Sequence, residues 1–372
     1  MSTDNEVLIR ELSSSDINWM LANGRQQQVD EGTVLFQQQS NVDALYIVLD
    51  GTLSATIKRN QESALADIFA TLEDDDDLEQ EIARFSTGEV LGEMSFLNIS
   101  PSATTVKAHE NSRVLALPCR KLLARLQLDS EFASRFYRAI AILLLDRFER
   151  LVEKFTHRQN LKIPPLIDVP LLFGELNDSD IDWMLQHSYV EEFTLGTVLM
   201  QAGRSVENLY LLLQGSASVS FSADKGNALT RVFTILETDD QSDESPGYDI
   251  AQVTRGEIIG EMALVDSRLP AYTFKALEDL QVLAIRRQKL FIKLQQNPGM
   301  GARFYKAIAM LLSARLQGLI GRLGYGKGTY QIGHRLSANF EYEDEIDPDV
   351  MDNLTLGGAR FNWMLRRLRI PS

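Results

Sequence analysis

The 372-residue sequence carries one long pattern twice, and that repeat restricts the fold more than any other feature. LSSSDINWML at 12–21 returns as LNDSDIDWML at 176–185, and EGTVLFQ at 31–37 returns as LGTVLMQ at 195–201. LYIVLDGTLSATI at 45–57 returns as LYLLLQGSASVSF at 209–221, again 164 residues on. GEVLGEMSFL at 88–97 and RFYRAIAILL at 135–144 then match GEIIGEMALV at 256–265 and RFYKAIAMLL at 303–312, now 168 residues on. The second copy therefore holds four more residues in the intervening loop. Five matches in order identify two copies of one domain in tandem, each long enough for a core of its own.

Both copies read alike. Each opens with a short helix marked by Ser13 with Asp16, or Asn177 with Asp180, the spacing of a capping box. Short β-rich runs follow, punctuated by Gly32, Gly51 and Gly88 in the first copy and by Gly196, Gly215 and Gly256 in the second. Such runs predict a small antiparallel sandwich or barrel. A long amphipathic helix closes each copy, at about 131–155 and 299–322, with Phe136, Ile140, Leu143, Leu144, Phe148 and Leu151 at helical spacing. A helix this apolar packs against another helix. The simplest partner is its own counterpart, which makes an intramolecular pseudo-dimer, or the equivalent helix of a homo-oligomer. The expected organisation is domain 1 at 1–156, a proline-containing linker at 157–170, domain 2 at 171–322 and a tail at 323–372.

Charge and composition exclude several function classes. With 37 basic and 52 acidic side chains the net charge is −15, which repels DNA and anionic membrane. Cys119 is the only cysteine, and four scattered histidines beside it form no zinc pattern. The N-terminus lacks a signal-peptide pattern, and the apolar run AIAILLL at 139–145 falls well short of the ~20 residues a transmembrane helix needs. A cytoplasmic protein is expected. Acidic loops at 72–81 and 236–249 lack the EF-hand register and read as solvated excursions or as a site for a basic partner. Gly321 to Lys327 satisfies G-x-x-x-x-G-K, but Gly328 stands where a phosphate loop needs Ser or Thr, and the segment follows a helix rather than a strand. No catalytic constellation stands out, and no enzyme is expected.

The segments GEMSFLNISPSATTVKA at 92–108 and GEMALVDSRLPAYTFKA at 260–276 resemble the phosphate-binding cassette of the cyclic-nucleotide-binding domain family. The resemblance extends over about 12–155 and 176–320. It implies a mainly β fold with α: two β-roll or jelly-roll domains, each with flanking helices and a long C-terminal helix. In that family backbone N–H groups of a helix N-terminus and turn hold the phosphate, the glutamate of a Gly-Glu pair accepts the ribose 2′-hydroxyl, and an arginine pairs with the phosphate. The resemblance marks Gly92, Glu93, Ser102, Ala103 and Thr104 in the first copy, and Gly260, Glu261, Arg268, Ala271 and Tyr272 in the second. The arginine itself is replaced, by Ser102 and by Pro270, with Arg268 two residues earlier. Its loss removes roughly 1.5–3 kcal/mol of charge-assisted hydrogen bonding, and a partly buried anion without a counter-charge costs ~3–5 kcal/mol more. The cassettes therefore read as degenerate, and no cofactor is expected. The alternative is a cyclic nucleotide or related ligand in domain 2.

No helix-turn-helix pattern follows the second long helix. The end, GGARFNWMLRRLRIPS, instead places Phe361, Met364, Leu365 and Leu368 on one helical face, with Trp363, Arg366 and Arg367 around it. A basic amphipathic segment after an acidic one reads as a docking peptide for a protein partner, as a terminal helix packed on its own domain, or as a weak membrane-surface anchor. The expected function is a non-enzymatic adaptor or structural component working through the acidic loops, the paired long helices and the tail. A nucleotide-gated regulator is the alternative.

Overall fold

The structure is a computed structural model that describes residues 7–58, 79–98, 101–155, 168–221, 248–266, 268–320 and 348–370. Most of the expected linker (157–167), most of both acidic loops (72–78 and 236–247) and the glycine-rich stretch from 321 lie outside the described residues.

The sequence repeat is a repeat of sheets. In the first copy α1 (Val7–Glu11) and α2 (Ser14–Asn23) precede β1 (Arg25–Val29), β2 (Val34–Phe36), β3 (Ala44–Asp50), β4 (Leu53–Lys58), β5 (Glu79–Phe85) and β6 (Val90–Leu91). The cassette helix α3 (Glu93–Asn98), β7 (Thr105–Ala108), β8 (Ser112–Pro118), α4 (Cys119–Leu128) and the long α5 (Ser130–Phe155) complete it. The strands form two four-stranded antiparallel sheets, ordered β1-β8-β3-β6 and β2-β7-β4-β5. Val48, Leu53, Ala55, Leu91, Val106 and Val114, drawn from both sheets, form one buried cluster, with Leu53 and Ala55 two apart on β4 as residues facing a second sheet require.

The second copy repeats this order. It runs α6 (Asp168–Glu175), α7 (Asp178–Gln186), β9 (Ser188–Phe193), β10 (Val198–Met200), β11 (Asn208–Gln214), β12 (Ala217–Phe221), β13 (Tyr248–Val253), β14 (Ile258–Ile259), α8 (Met262–Val265), β15 (Tyr272–Ala276), β16 (Leu280–Arg286), α9 (Arg287–Gln296) and α10 (Pro298–Ile320). Its sheets are β9-β16-β11-β14 and β10-β15-β12-β13, the same connections strand for strand. A last helix, α11, spans Pro348–Arg367. No helix among the described residues is long and apolar enough to cross a membrane.

The sequence signals act where they stand. Ser13 caps α2: its hydroxyl accepts the Asp16 N–H at 3.2 Å, and the Asp16 carboxylate accepts the Ser13 N–H at 2.9 Å. Asp16 is also held bidentately by Arg135 of α5, at 2.8 and 3.2 Å. All six apolar positions named for the long helix are buried.

By contacts the chain divides into two compact units: Met1–Leu151 with Pro170–Asn177 and Lys293–Arg360, and Val152–Val169 with Asp178–Ile292 and Phe361–Ser372. The first unit thus joins the first barrel to α10 from the second copy. Within it α10 packs on α3, Gly301 approaches Ser134 of α5, and the Arg138 guanidinium lies 5.9 Å from the Tyr305 ring centre.

Candidate functional site: the two cassettes

Each cassette begins with a glycine the backbone demands. Gly92 has φ +81°, and a Cβ there would stand 3.0 Å from the Ala44 carbonyl oxygen; Gly260 has φ +92°, with the Asn208 carbonyl oxygen 2.8 Å away. Only glycine combines a left-handed turn with that approach. The turn delivers Glu93 to the first position of α3, and Phe96 N–H closes it on the Gly92 carbonyl at 3.0 Å.

Glu93 is 2% exposed and ion-paired. Its partner is Arg147, from the second half of α5, which donates Nη1–H to Glu93 Oε1 and Nη2–H to the Val90 carbonyl. The same guanidinium lies 4.7 Å from the centre of the Phe85 ring, a cation–π contact in a dry environment. One turn further along α5, Arg150 reaches Glu89 at 3.3 Å, while Glu89 also accepts the Ser86 N–H at 2.6 Å. Two carboxylates of the cassette approach are thus balanced by two guanidiniums of the long helix. Burial pushes the Glu93 carboxyl up, Arg147 pulls it back, and the neighbouring charge of Glu89 adds to the rise. The carboxylate that the family resemblance assigns to a ribose hydroxyl is therefore already bound to a cation of its own chain.

Ser102 stands where the family resemblance places an arginine, and its polar groups are bonded within the protein. Buried Ser102 donates its hydroxyl to the Thr104 carbonyl at 2.8 Å and accepts the Thr104 N–H at 3.3 Å. Its backbone is clamped by the preceding loop: Ser102 N–H donates to Ser40 at 2.9 Å, and the Ser102 carbonyl accepts the Gln39 N–H at 2.7 Å. Gln39 adopts φ +65° to make this contact. Ala103 and Thr104 are half-buried. Of the amides in this turn, Ser102 and Thr104 are spent on the protein itself.

The second cassette differs in kind. Pro270 has no N–H to offer, and its carbonyl accepts the Gly203 N–H at 2.8 Å. Arg268 is 49% exposed and bonded through Nε to Asp266 at 2.5 Å, two residues before it. Glu261 is buried immediately before α8. Ala271 is half-buried, and Tyr272, paired across the sheet with Phe221, is buried with its ring 5.5 Å from the phenylalanine. The structure thus groups each set around its own turn, but it ties Arg268 to Asp266.

The tail is a helix with a buried stripe. Phe361, Met364 and Leu365 are buried, Leu368 is half-buried, Arg366 and Arg367 are exposed, and Trp363 is 45% exposed. Its first half meets α6 through glycines: a Cβ on Gly357 would run into the Pro170 carbonyl, and one on Gly174 into the Asn353 carbonyl. Arg360 donates to the carbonyls of Phe173 and Leu176, both at 2.7 Å, satisfying the open C-terminal end of α6. Further on, Arg367 pairs with Asp182 at 3.3 Å.

Motif reading missed Arg147, Arg150 and Glu89. A signal existed: the 168-residue offset carries Glu89, Glu93 and Arg147 onto Glu257, Glu261 and Arg315, whereas Arg150 becomes Gly318. No group of His, Cys, Asp and Glu among the described residues could hold a metal ion.

Comparison with known proteins places these features. A curated relative, the cAMP-activated global transcriptional regulator CRP of Pasteurella multocida (strain Pm70), is 25% identical over 140 residues, 37% of this chain and 54% of that protein. The chain thus spans about half the length of the curated relative it matches. Among solved structures, the regulatory domain of Toxoplasma gondii PKA with cAMP is 18% identical, with 80% of this chain and 95% of that one covered at a TM-score of 0.27. The regulatory subunit of a cAMP-independent protein kinase A from Trypanosoma brucei is 16% identical, with 81% and 94% covered at a TM-score of 0.27. The family model of the cyclic nucleotide-binding domain matches residues 26–129 and again 190–297, more than half of the chain and the same part of each repeat. The repeated sheets, the paired Gly-Glu turns and this double match have one explanation: the chain belongs to the cyclic nucleotide-binding domain family, with two such domains in tandem.

Proposed function

We propose that this tandem regulatory-type protein is non-enzymatic and works as an adaptor through protein contacts, with cassettes closed to ordinary cyclic nucleotides. One observation supports this above the others. At the place of the phosphate-binding arginine, Ser102 spends its hydroxyl on both the N–H and the carbonyl of Thr104, so neither a cation nor the free Thr104 amide faces an anion. In the second cassette proline removes the amide outright. Nucleotide gating through domain 2 would require Arg268 to leave Asp266 and would still lack the N–H at Pro270.

For a partner, the surface left on α11 is its outer side, Trp363 with Arg366 and Arg367, because Phe361, Met364 and Leu365 are buried. Trp363 and Arg367 already lie together, the guanidinium 5.2 Å from the ring centre. Exposed aromatic and arginine side chains are the types enriched where interfaces concentrate their energy.

The test is titration calorimetry and thermal shift with cAMP, cGMP and related cyclic nucleotides. A ligand at 100 times its Kd would stabilise the protein by about 2.7 kcal/mol, or several degrees of Tm. We expect no heat and no shift. A reproducible shift of that size would overturn the reading.

A further inference from the structure

The first cassette, read as closed to nucleotide, still has an occupant. We propose that α3 of the first repeat is a protein-binding site whose ligand is α10, the long helix of the second repeat, so that a helix of the same chain provides the input that a diffusible nucleotide would otherwise provide. This inference rests on the reading of the first cassette given above.

The geometry around α3 carries it. Phe96 of α3 meets Phe136 of α5 edge to face, with ring centres 6.2 Å apart, and α10 packs against α3 as well. Ser95, Phe96 and Leu97 are all buried. The seating of α10 is specific rather than a general apolar contact. At Gly301 a Cβ would stand 2.5 Å from Ser134 Oγ of α5 and 2.9 Å from the Leu294 carbonyl, so the two long helices approach as closely as glycine allows.

One cation–ring contact crosses from α5 to α10, and an ion pair holds each long helix to the first helix of its own repeat. Arg138 of α5 pairs with Glu11 of α1 at 2.9 Å and lies over Tyr305 of α10. Lys306 of α10 pairs with Glu175 of α6 at 2.8 Å. These residues are repeat mates: Glu11 and Glu175 are 164 apart, and Arg138 and Lys306, like Tyr137 and Tyr305, are 168 apart. Burial is the main reason both tyrosines are held in the neutral form; the charge of Glu175 adds to this at Tyr137, while at Tyr305 Arg138 opposes it and Glu11 adds a smaller rise. The contacts that cross to α10 are Arg138 over Tyr305 and the close approach of Gly301 to Ser134, while Lys306 and Glu175 hold α10 against α6; a sliding α10 would break the two crossing contacts.

A site that reads α10 is coupled onward through the same helix. The first residue of α3 is Glu93, the partner of Arg147. Displacing α10 would therefore loosen α3 and, with it, the hold of α5 on the cassette. Such coupling requires that the contact differ between two states of α10.

Amide hydrogen exchange on the full-length protein, with no nucleotide present, tests this. Gly301→Val should speed exchange within 93–98 by about tenfold or more while leaving β3 and β8 protected. Lys306→Glu, which sets two carboxylates face to face, should produce a smaller rise in the same segment, reversed by the swap Lys306→Glu with Glu175→Lys. The swap pair keeps the test open if Gly301→Val does not fold. Faster exchange in α10 with 93–98 unchanged would overturn the proposal, as would a swap that fails to restore protection. Because exchange is read without nucleotide, these outcomes are separate from a calorimetric heat of cyclic-nucleotide binding, which alone would overturn the closed reading of the cassette.

Discussion

Replacing Arg147 by methionine isolates the energetics of the first cassette. The side chain keeps much of its length but loses its charge, leaving Glu93, 2% exposed, without its cation and the Val90 carbonyl without a donor. Breaking a buried pair by removing one partner costs about 3–5 kcal/mol, because the remaining charge stays desolvated. The Phe85 contact and the carbonyl bond are lost in the same step, so their values overlap with that figure rather than adding to it. Glu93→Leu alone should cost a comparable amount by stranding Arg147. The double variant removes both charges and should lie within about 2 kcal/mol of the wild type. The coupling energy from the cycle should then exceed about 3 kcal/mol.

Urea unfolding reads this when Trp183 and Trp363 are changed to Phe, so that Trp19 alone reports on the first repeat. The pH dependence has a definite sign. Burial raises the folded-state pKa of Glu93, so its contribution is fully present below the unfolded value of about 4.3 and is lost as pH rises through the folded value. Without Arg147 the folded value rises further, and the penalty of Arg147→Met should be larger at pH 8 than at pH 5. A penalty under about 1 kcal/mol, or one indifferent to pH, would refute the assignment of Glu93 and Arg147 as a buried ion pair.

Ser13→Ala should cost about 1 kcal/mol by uncapping α2, measured by the same unfolding curve; no loss would mean the cap is idle. Asp16 feels burial, which raises its pKa, but Arg135 and Ser13 outweigh it and hold the carboxyl below its usual range. Its contribution is therefore present above the unfolded value near pH 4 and lost as acid titrates it; Arg135→Ala should flatten this acid limb of the stability profile. Gly357→Ala places a methyl against the Pro170 carbonyl, and limited proteolysis should then cut α11 far faster than in the wild type. Arg268→Ala, at an exposed local pair, should shift stability by no more than about 0.5 kcal/mol; a loss above 1 kcal/mol would give Arg268 a larger role than the structure does.

The local features were legible. Ser13 with Asp16 marked a helix start, paired glycines marked turns, and the spacing of Phe136, Ile140 and Leu143 marked a helix face, because each acts within a few residues of itself. The stripe of α11 was legible too, with Phe361, Met364 and Leu365 on one side, but not what it covers. A helical period specifies which face is apolar and leaves its counterpart open, so docking peptide and terminal helix read alike.

From its sequence alone this chain had two equivalent domains, a β-rich body with a closing helix in each, and Ser102 and Pro270 where the family resemblance places an arginine. The repeat and the Gly-Glu turns carry that information along the chain. Only the tertiary structure decided that Arg147 answers Glu93 from 54 residues away, that Ser102 closes its own turn, and that α10 lies on α3. Those pairings depend on how a helix is laid onto a barrel, and desolvated charges find each other only once that packing has excluded water.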